Sequence, residues 1–154
     1  MVRYMEYKIT LRDESETIEL AENMESEKFA NMVICLNGDL GSGKTVFAKG
    51  FASALGIDEV ITSPTYNIVK EYYSGEMPLF HMDVYRLDET DVMIDFSEYF
   101  VKKGVSIIEW SDMIKDELPD ERLEINFKII GEDTRLVIIK PIGKRYEDLC
   151  EAVL

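Results

Sequence analysis

Met32-Val33-Ile34-Cys35-Leu36 followed closely by Gly38-Asp39-Leu40-Gly41-Ser42-Gly43-Lys44-Thr45 is the stretch that decides the fold of this chain. The first five residues form a continuous apolar run, the pattern of a strand buried on both faces. The eight that begin at Gly38 read G-x-x-x-x-G-K-T. That pattern carries a mechanism. Its glycines let backbone N–H groups turn inward around a triphosphate, its lysine adds a point charge for the β and γ phosphates, and its threonine offers a hydroxyl to Mg²⁺. From Val46 to Leu55, apolar and small residues recur at helical spacing and stop at Gly56. Strand, glycine loop and helix in that order aim the positive end of a helix at the phosphates. A plain glycine turn is the competing reading, and the strand–loop–helix context argues against it.

Outward from this unit, helices and strands alternate. Met1 to Leu11 reads as a strand. Asp13-Glu14-Ser15-Glu16 opens a helix with Asp13 and Glu16 spaced as a capping box, and Ile18, Leu20, Ala21, Met24 and Phe29 supply its apolar face. Tyr66 to Tyr73 and Pro78 to Tyr85 alternate around Ser74-Gly75-Glu76 as a hairpin, and Arg122 to Ile130 and Thr134 to Ile139 form a second one. Between the hairpins, Asp88 to Lys103 reads as a helix capped by Asp88 or Thr90. Val105 to Ile108 is a short apolar run ending in Glu109-Trp110, and Ser111 to Leu118 is a short helix stopped by Pro119. Tyr146 to Leu154 closes the chain as a helix. These elements predict one α/β domain over residues 1–154, a P-loop NTPase-like three-layer sandwich with a mixed central sheet.

Composition narrows the function. A chain of 154 residues buries roughly 70% of its unfolded surface and needs no disulfide or structural metal. Its cysteines, Cys35 and Cys150, suggest neither a disulfide framework nor a zinc site. No stretch is long or apolar enough for a membrane span and Met1 to Lys8 lacks a signal pattern, so a cytoplasmic location is expected. The net charge of −14 repels phosphate backbones, and Lys102-Lys103 and Lys140 with Lys144-Arg145 are too short and interrupted to form a basic patch. Any nucleic-acid role is expected to run through a basic partner. Solubility alone also accounts for the charge.

The loop needs an acid on its metal side, usually at the end of a neighbouring apolar strand. Glu109 ends the cleaner run and is preferred as a metal-side ligand, directly or through water. Asp83 ends Leu79-Phe80-His81-Met82-Asp83 and is read as a second acid that orients Thr45, water or Lys44. Either acid is also consistent with a simple helix cap. The hydroxyl-rich Thr62-Ser63-Pro64-Thr65 lies where many P-loop enzymes place a segment that senses the γ-phosphate, or is an ordinary turn. His81, the one histidine, is expected to be structural, because phosphoryl transfer relies on positioning and charge rather than a histidine base. Trp110 reads as core packing beside a metal-side acid. Arg86 is expected to pair with a carboxylate. Nothing reads N-K-x-D, which favours adenine over guanine.

Taken together, the loop, Thr62-Ser63-Pro64-Thr65-Tyr66, His81-Met82-Asp83-Val84-Tyr85-Arg86-Leu87 and Ile108-Glu109-Trp110 resemble the TsaE family in order and spacing. TsaE is a small bacterial ATPase that takes part in making the threonylcarbamoyladenosine modification of tRNA. The resemblance implies ATP and Mg²⁺ as ligands. It implies that Gly41, Ser42, Gly43 and Lys44 hold the phosphates, with Val46 following in the nucleotide site. It puts Thr45 and Glu109 at Mg²⁺, Asp83 in the Walker B role with Lys44 and Glu109 in the catalytic set, and Thr62, Ser63 and Thr65 in the switch-like segment. Glu14 and Thr17 would lie beside the adenosine. The family usually has alanine where this chain has Ser42, a position that contributes backbone. It also implies partners, TsaD and TsaB, with tRNA met only indirectly. Two other readings remain open from the residues: a P-loop phosphotransferase, against which the missing arginine-rich lid counts, and a nucleotide-sensing module with negligible hydrolysis.

Overall fold

The computed structural model describes residues 5–62, 64, 68–85, 87 and 93–154. Seven strands form one sheet: β1 Tyr7–Leu11, β2 Met32–Asn37, β3 Val69–Tyr72, β4 Leu79–Asp83, β5 Val105–Glu109, β6 Arg122–Ile129 and β7 Arg135–Ile142. Their order is β1-β7-β6-β2-β5-β4-β3. β2 runs parallel to β5 and β6, and β4 runs parallel to β5. The flanks are antiparallel, with β1 on β7, β7 on β6 and β3 on β4. The helices described are α1 Glu14–Ser26, α2 Lys44–Leu55, α3 Phe96–Phe100 and α4 Lys144–Val153, with a 3₁₀ helix at Ser111–Glu117.

A parallel core must be covered on both faces, and alternation along β2 sorts its side chains between two layers. Met32, Ile34 and Leu36 pack with α1, α2 and α4, whereas Val33 and Cys35 pack with α3 and the 3₁₀ helix. All six residues of β2 are buried. Both expected hairpins form, and the expected three-layer mixed sandwich is the observed architecture. Cys35 is a buried free thiol that burial pushes up to about 12, so it is inert at neutral pH.

The start of α1 makes the N-cap half of the expected capping box, while the Glu16 side chain reaches one residue further back, to Arg12 N rather than Asp13 N. Asp13 Oδ1 accepts from Glu16 N at 3.0 Å, and Glu16 Oε1 accepts from Arg12 N at 2.9 Å. The buried residues of α1 are Thr17, Leu20, Ala21, Met24 and Glu25, while Ile18 stays 38% exposed on the flank of the interface. α1 crosses α2 at Gly50, where a Cβ would meet Ile18 Cα and Ala21 Cβ, both at 3.2 Å. Backbone cannot yield as a side-chain tip can. Gly50→Val is therefore expected to cost about 1–3 kcal/mol and to lower the melting midpoint by several degrees in a circular-dichroism thermal scan.

Of the helix expected from Asp88 to Lys103, the described residues form helix over Phe96–Phe100. Met93 to Asp95 are non-helical, and the Asp95 carboxylate caps α3 by accepting from Ser97 N at 3.1 Å. The proposed caps Asp88 and Thr90 lie outside the described residues. At the other end, Asn31 Nδ2 donates to Phe100 O at 3.2 Å and Lys102 O at 2.7 Å. A side chain from 69 and 71 positions away thus takes the carbonyls where the helix stops, a contact that local periodicity does not encode. The short helix expected after Trp110 forms as 3₁₀ turns over Ser111–Glu117, kinked at Ile114 (φ −124°). β7 continues beyond the expected Ile139 to Ile142, with Pro141 opposite Leu123.

Candidate nucleotide and metal site

The loop between β2 and α2 is shaped by glycine. Gly38, Gly41 and Gly43 have φ of 147°, 79° and 114°. At Gly38 a Cβ would stand 2.6 Å from Phe127 O and 2.7 Å from Ser42 Oγ, so the β6 backbone leaves room only for hydrogen there. Gly43 is the N-cap of α2 and supplies no side-chain acceptor to its first N–H groups. An uncapped helix start behind a glycine loop is the donor array that binds an anion.

A cavity of about 240 Å³ opens over this loop. Gly41, Ser42, Gly43, Lys44, Thr45 and Val46 line it from the loop side. Glu14 and Thr17 reach it from α1, and Asp83 and Glu109 reach it from the ends of β4 and β5. The structure thus brings these sequence-predicted residues to one place. Thr62 is not in the lining; its hydroxyl accepts from Lys70 Nζ at 2.7 Å. Ser63, Thr65 and Arg86 lie outside the described residues.

The two acids meet because β4 and β5 are adjacent and parallel, which sets Asp83 opposite Glu109. Both project toward α2. Glu109 is 2% exposed. Its Oε1 accepts from Thr45 Oγ1 at 3.0 Å and its Oε2 lies 2.6 Å from His81 Nε2. Asp83 Oδ1 accepts from Tyr85 N at 3.1 Å. Burial holds the Asp83 carboxyl above the usual carboxylate range, against the Tyr85 hydrogen bond, and the nearby Glu109 charge adds to the rise. Burial likewise holds the Lys44 ammonium below the usual lysine range, opposed by the carboxylates of Glu109, Asp83 and Asp39. Lys44 Nζ donates to Gly38 O and, at 3.1 Å, to Asp39 O, and it stands 4.1 Å from the Trp110 ring centroid.

Trp110 is a non-glycine residue at φ 62°, held there by several bonds. Its N–H donates to Leu36 O at 2.8 Å. Asn37 Nδ2 donates to Ser111 Oγ at 2.9 Å, and Asn37 Oδ1 accepts from Asp112 N at 3.1 Å. The Tyr85 ring lies 4.6 Å away, centroid to centroid. Trp110 packs half-buried against the cluster that holds Val33 and Cys35, as expected, and it also forms a wall of the cavity, because the bonds on either side turn the chain sharply after Glu109.

Thr45 and Glu109 fit a hard cation such as Mg²⁺, since both offer oxygen. Among the described residues no three His, Cys, Asp or Glu side chains gather as a metal cage. A Mg²⁺ held here would complete its shell with phosphate oxygens and water, as this ion commonly does.

Sequence reasoning missed Arg135 and Asp133, which also line the cavity. Arg135 Nε donates to Ser42 O at 3.2 Å and Nη2 to Gly41 O at 3.1 Å. Its Nη1 donates to Gly131 O and Thr134 O at 3.1 and 3.0 Å. One guanidinium thereby ties the β6–β7 turn to the phosphate loop. Its position directly after a G-x-x-T turn was visible in the sequence; its partners, 93 and 94 positions away, were not. Hydrogen bonds to charged groups contribute about 1.5–3 kcal/mol, so Arg135→Ala is expected to weaken nucleotide binding by roughly tenfold or more. Calorimetric titration with ATP checks this.

A parallel β-core that carries strand, G-x-x-x-x-G-K-T loop and helix, with acids at neighbouring strand ends, defines the P-loop NTPase-like fold class. The family model described as "Threonylcarbamoyl adenosine biosynthesis protein TsaE" matches residues 11–137. The chain belongs to the TsaE family. It is 49% identical over 119 residues to the tRNA threonylcarbamoyladenosine biosynthesis protein TsaE of Bacillus subtilis (strain 168), spanning 77% of this chain and 75% of that protein. The protein of the same name from Nostoc sp. is 33% identical over 147 residues, 92% of this chain and 90% of its own. The crystal structure of Bacillus subtilis YdiB superimposes with a TM-score of 0.87 at 38% identity, covering 99% of this chain and 97% of that one.

Proposed function

We propose that this protein binds ATP with Mg²⁺ over the phosphate loop and hydrolyses it in support of threonylcarbamoyladenosine formation on tRNA, in the cytoplasm, together with TsaD- and TsaB-like partners. Family membership supports the place in threonylcarbamoyladenosine biosynthesis. The observation that carries the chemical reading is the 3.0 Å contact of Thr45 Oγ1 with Glu109 Oε1 at the start of α2, beside Lys44.

In this reading the N–H groups of the loop and of the first turn of α2 hold the phosphates, and Lys44 turns from its loop carbonyls to them. Thr45 and Glu109 would hold Mg²⁺, which neutralises charge on the phosphate oxygens when bound. Asp83, opposite Glu109, orients Thr45, water or Lys44. Glu14 and Thr17 flank the nucleoside end. Arg135 is already committed to five carbonyls, which leaves it poorly suited to act as an arginine finger, so hydrolysis by the protein alone is expected to be slow. A finger supplied in trans raises turnover by about 10³-fold or more in other P-loop enzymes. The net charge of −14 opposes direct tRNA binding.

The test mixes this protein with TsaD, TsaB, tRNA, ATP and the activated threonine donor, and counts modified tRNA per transfer complex. Repeated cycles are expected only with this protein present, with ATP turnover rising on addition of the partners. Multiple turnover without it overturns the reading. ATP binding without hydrolysis under any of these conditions would leave a nucleotide sensor, and a phosphorylated small product would make it a phosphotransferase.

A further inference from the structure

We infer that His81 is the positioning residue for Glu109: it holds one carboxylate oxygen so that the other faces Thr45 and the metal position. The inference rests on the ATP–Mg²⁺ reading above and assigns a role to a side chain that this reading leaves unused.

His81 lies two residues before Asp83 on β4, so both side chains project from the same face, toward α2. β5 runs alongside with His81 opposite Ile107 and Asp83 opposite Glu109. This register lets His81 reach Glu109 diagonally across the strand pair. The contact is short, 2.6 Å from Nε2 to Oε2, and both residues are buried, at 0% and 2% exposure. A carboxylate only accepts, so the ring donates from Nε2. Nδ1 has no hydrogen-bond partner among the described residues. A buried imidazole with one nitrogen unsatisfied is a poor choice for packing alone, because an apolar side chain of similar volume would carry no such penalty. Among the described residues, the ring's one hydrogen bond is to Glu109.

The consequence falls on the geometry of the acid. The two oxygens of Glu109 are divided, Oε2 to His81 and Oε1 to Thr45. When Thr45 turns its hydroxyl to a cation, the His81 bond remains and continues to fix the carboxylate plane. Without it, a buried carboxylate would keep one bare oxygen and would rotate to find another donor. Hydrogen-bond partners of metal ligands typically change metal affinity by about 10–100-fold when removed.

The experiment measures Mn²⁺ binding by electron paramagnetic resonance, with a non-hydrolysable ATP analogue, to the full-length chain. Wild type is compared with His81→Gln, His81→Asn and His81→Met. Glutamine places an N–H donor near the position of Nε2. Asparagine is polar but falls short, and methionine fills the space without donating. His81→Met and His81→Asn are expected to weaken Mn²⁺ by about 10–100-fold, while analogue binding measured in EDTA follows the wild type. His81→Gln is expected to recover most of the loss. Wild-type Mn²⁺ affinity in both His81→Met and His81→Asn overturns the inference. So does a His81→Gln protein as weak as His81→Asn, which would reduce the role of the ring to shape. If His81→Met does not fold, the Gln and Asn pair decides by itself. Failure of the wild type to bind Mn²⁺ with the analogue overturns the ATP–Mg²⁺ reading instead, and this inference with it.

Discussion

Lys44→Ala is expected to reduce ATP turnover by about 10²–10³-fold, the scale of removing one preorganised charge or donor from a transition state, and to weaken nucleotide binding in parallel. Stability should not follow the same course. Burial holds the Lys44 ammonium below the usual lysine range. The charged form is therefore disfavoured in the folded protein relative to the unfolded chain, and removing it does not forfeit pH-linked stability at neutral pH. The melting midpoint is expected to stay near that of the wild type or to rise, even though Gly38 O and Asp39 O lose a donor. Thr45→Ala separates the two halves of the site. It is expected to spare nucleotide binding in EDTA and to lose the gain in binding that Mg²⁺ brings. Calorimetry with and without Mg²⁺, beside a phosphate-release assay, checks all of these. Wild-type turnover in Lys44→Ala would overturn the assignment of the loop.

The second large effect separates the two acids. Glu109→Ala is expected to raise the Mg²⁺ concentration needed for half-maximal ATPase activity by about tenfold or more, and Asp83→Ala by clearly less. Glu109 touches Thr45 directly, whereas Asp83 is bonded to the backbone of Tyr85. Their stabilities should also diverge. Removing Glu109 leaves buried His81 Nε2 without its partner, at a cost of about 1–3 kcal/mol. For Asp83 the sign is opposite. Its folded carboxyl holds its proton more tightly than the unfolded one. Wild-type stability therefore falls as pH rises from the ordinary carboxylate value through the raised folded value, and Asp83→Asn is expected to flatten that decline. Mg²⁺ titrations of the two alanine variants, with melting curves across the acidic range for Asp83→Asn, test both statements. A shift of the Mg²⁺ curve in Asp83→Ala alone would reverse the order of the acids.

Elements that rest on neighbours three or four residues apart were legible in the order of the residues alone. The G-x-x-x-x-G-K-T loop, the buried β2 run, α2 up to Gly56 and the Asp13–Glu16 cap were legible because each is bonded within its own segment. The hairpins were legible from alternation around short turns. Glu109 and Asp83 could be named as acids at strand ends, but whether either reached Thr45 could not. That depended on β5 lying between β2 and β4, an order set by burying both faces of a parallel core. The same order brought His81 to Glu109 across a pair of strands. Asn31 met the end of α3 and Arg135 met the phosphate loop through contacts spanning 69 to 94 positions. Local spacing carries no record of such partners. Side chains that lie far apart in the chain share a hydrogen bond only after the sheet has closed, so it is the closed sheet that sets how Thr45, Glu109 and His81 are held.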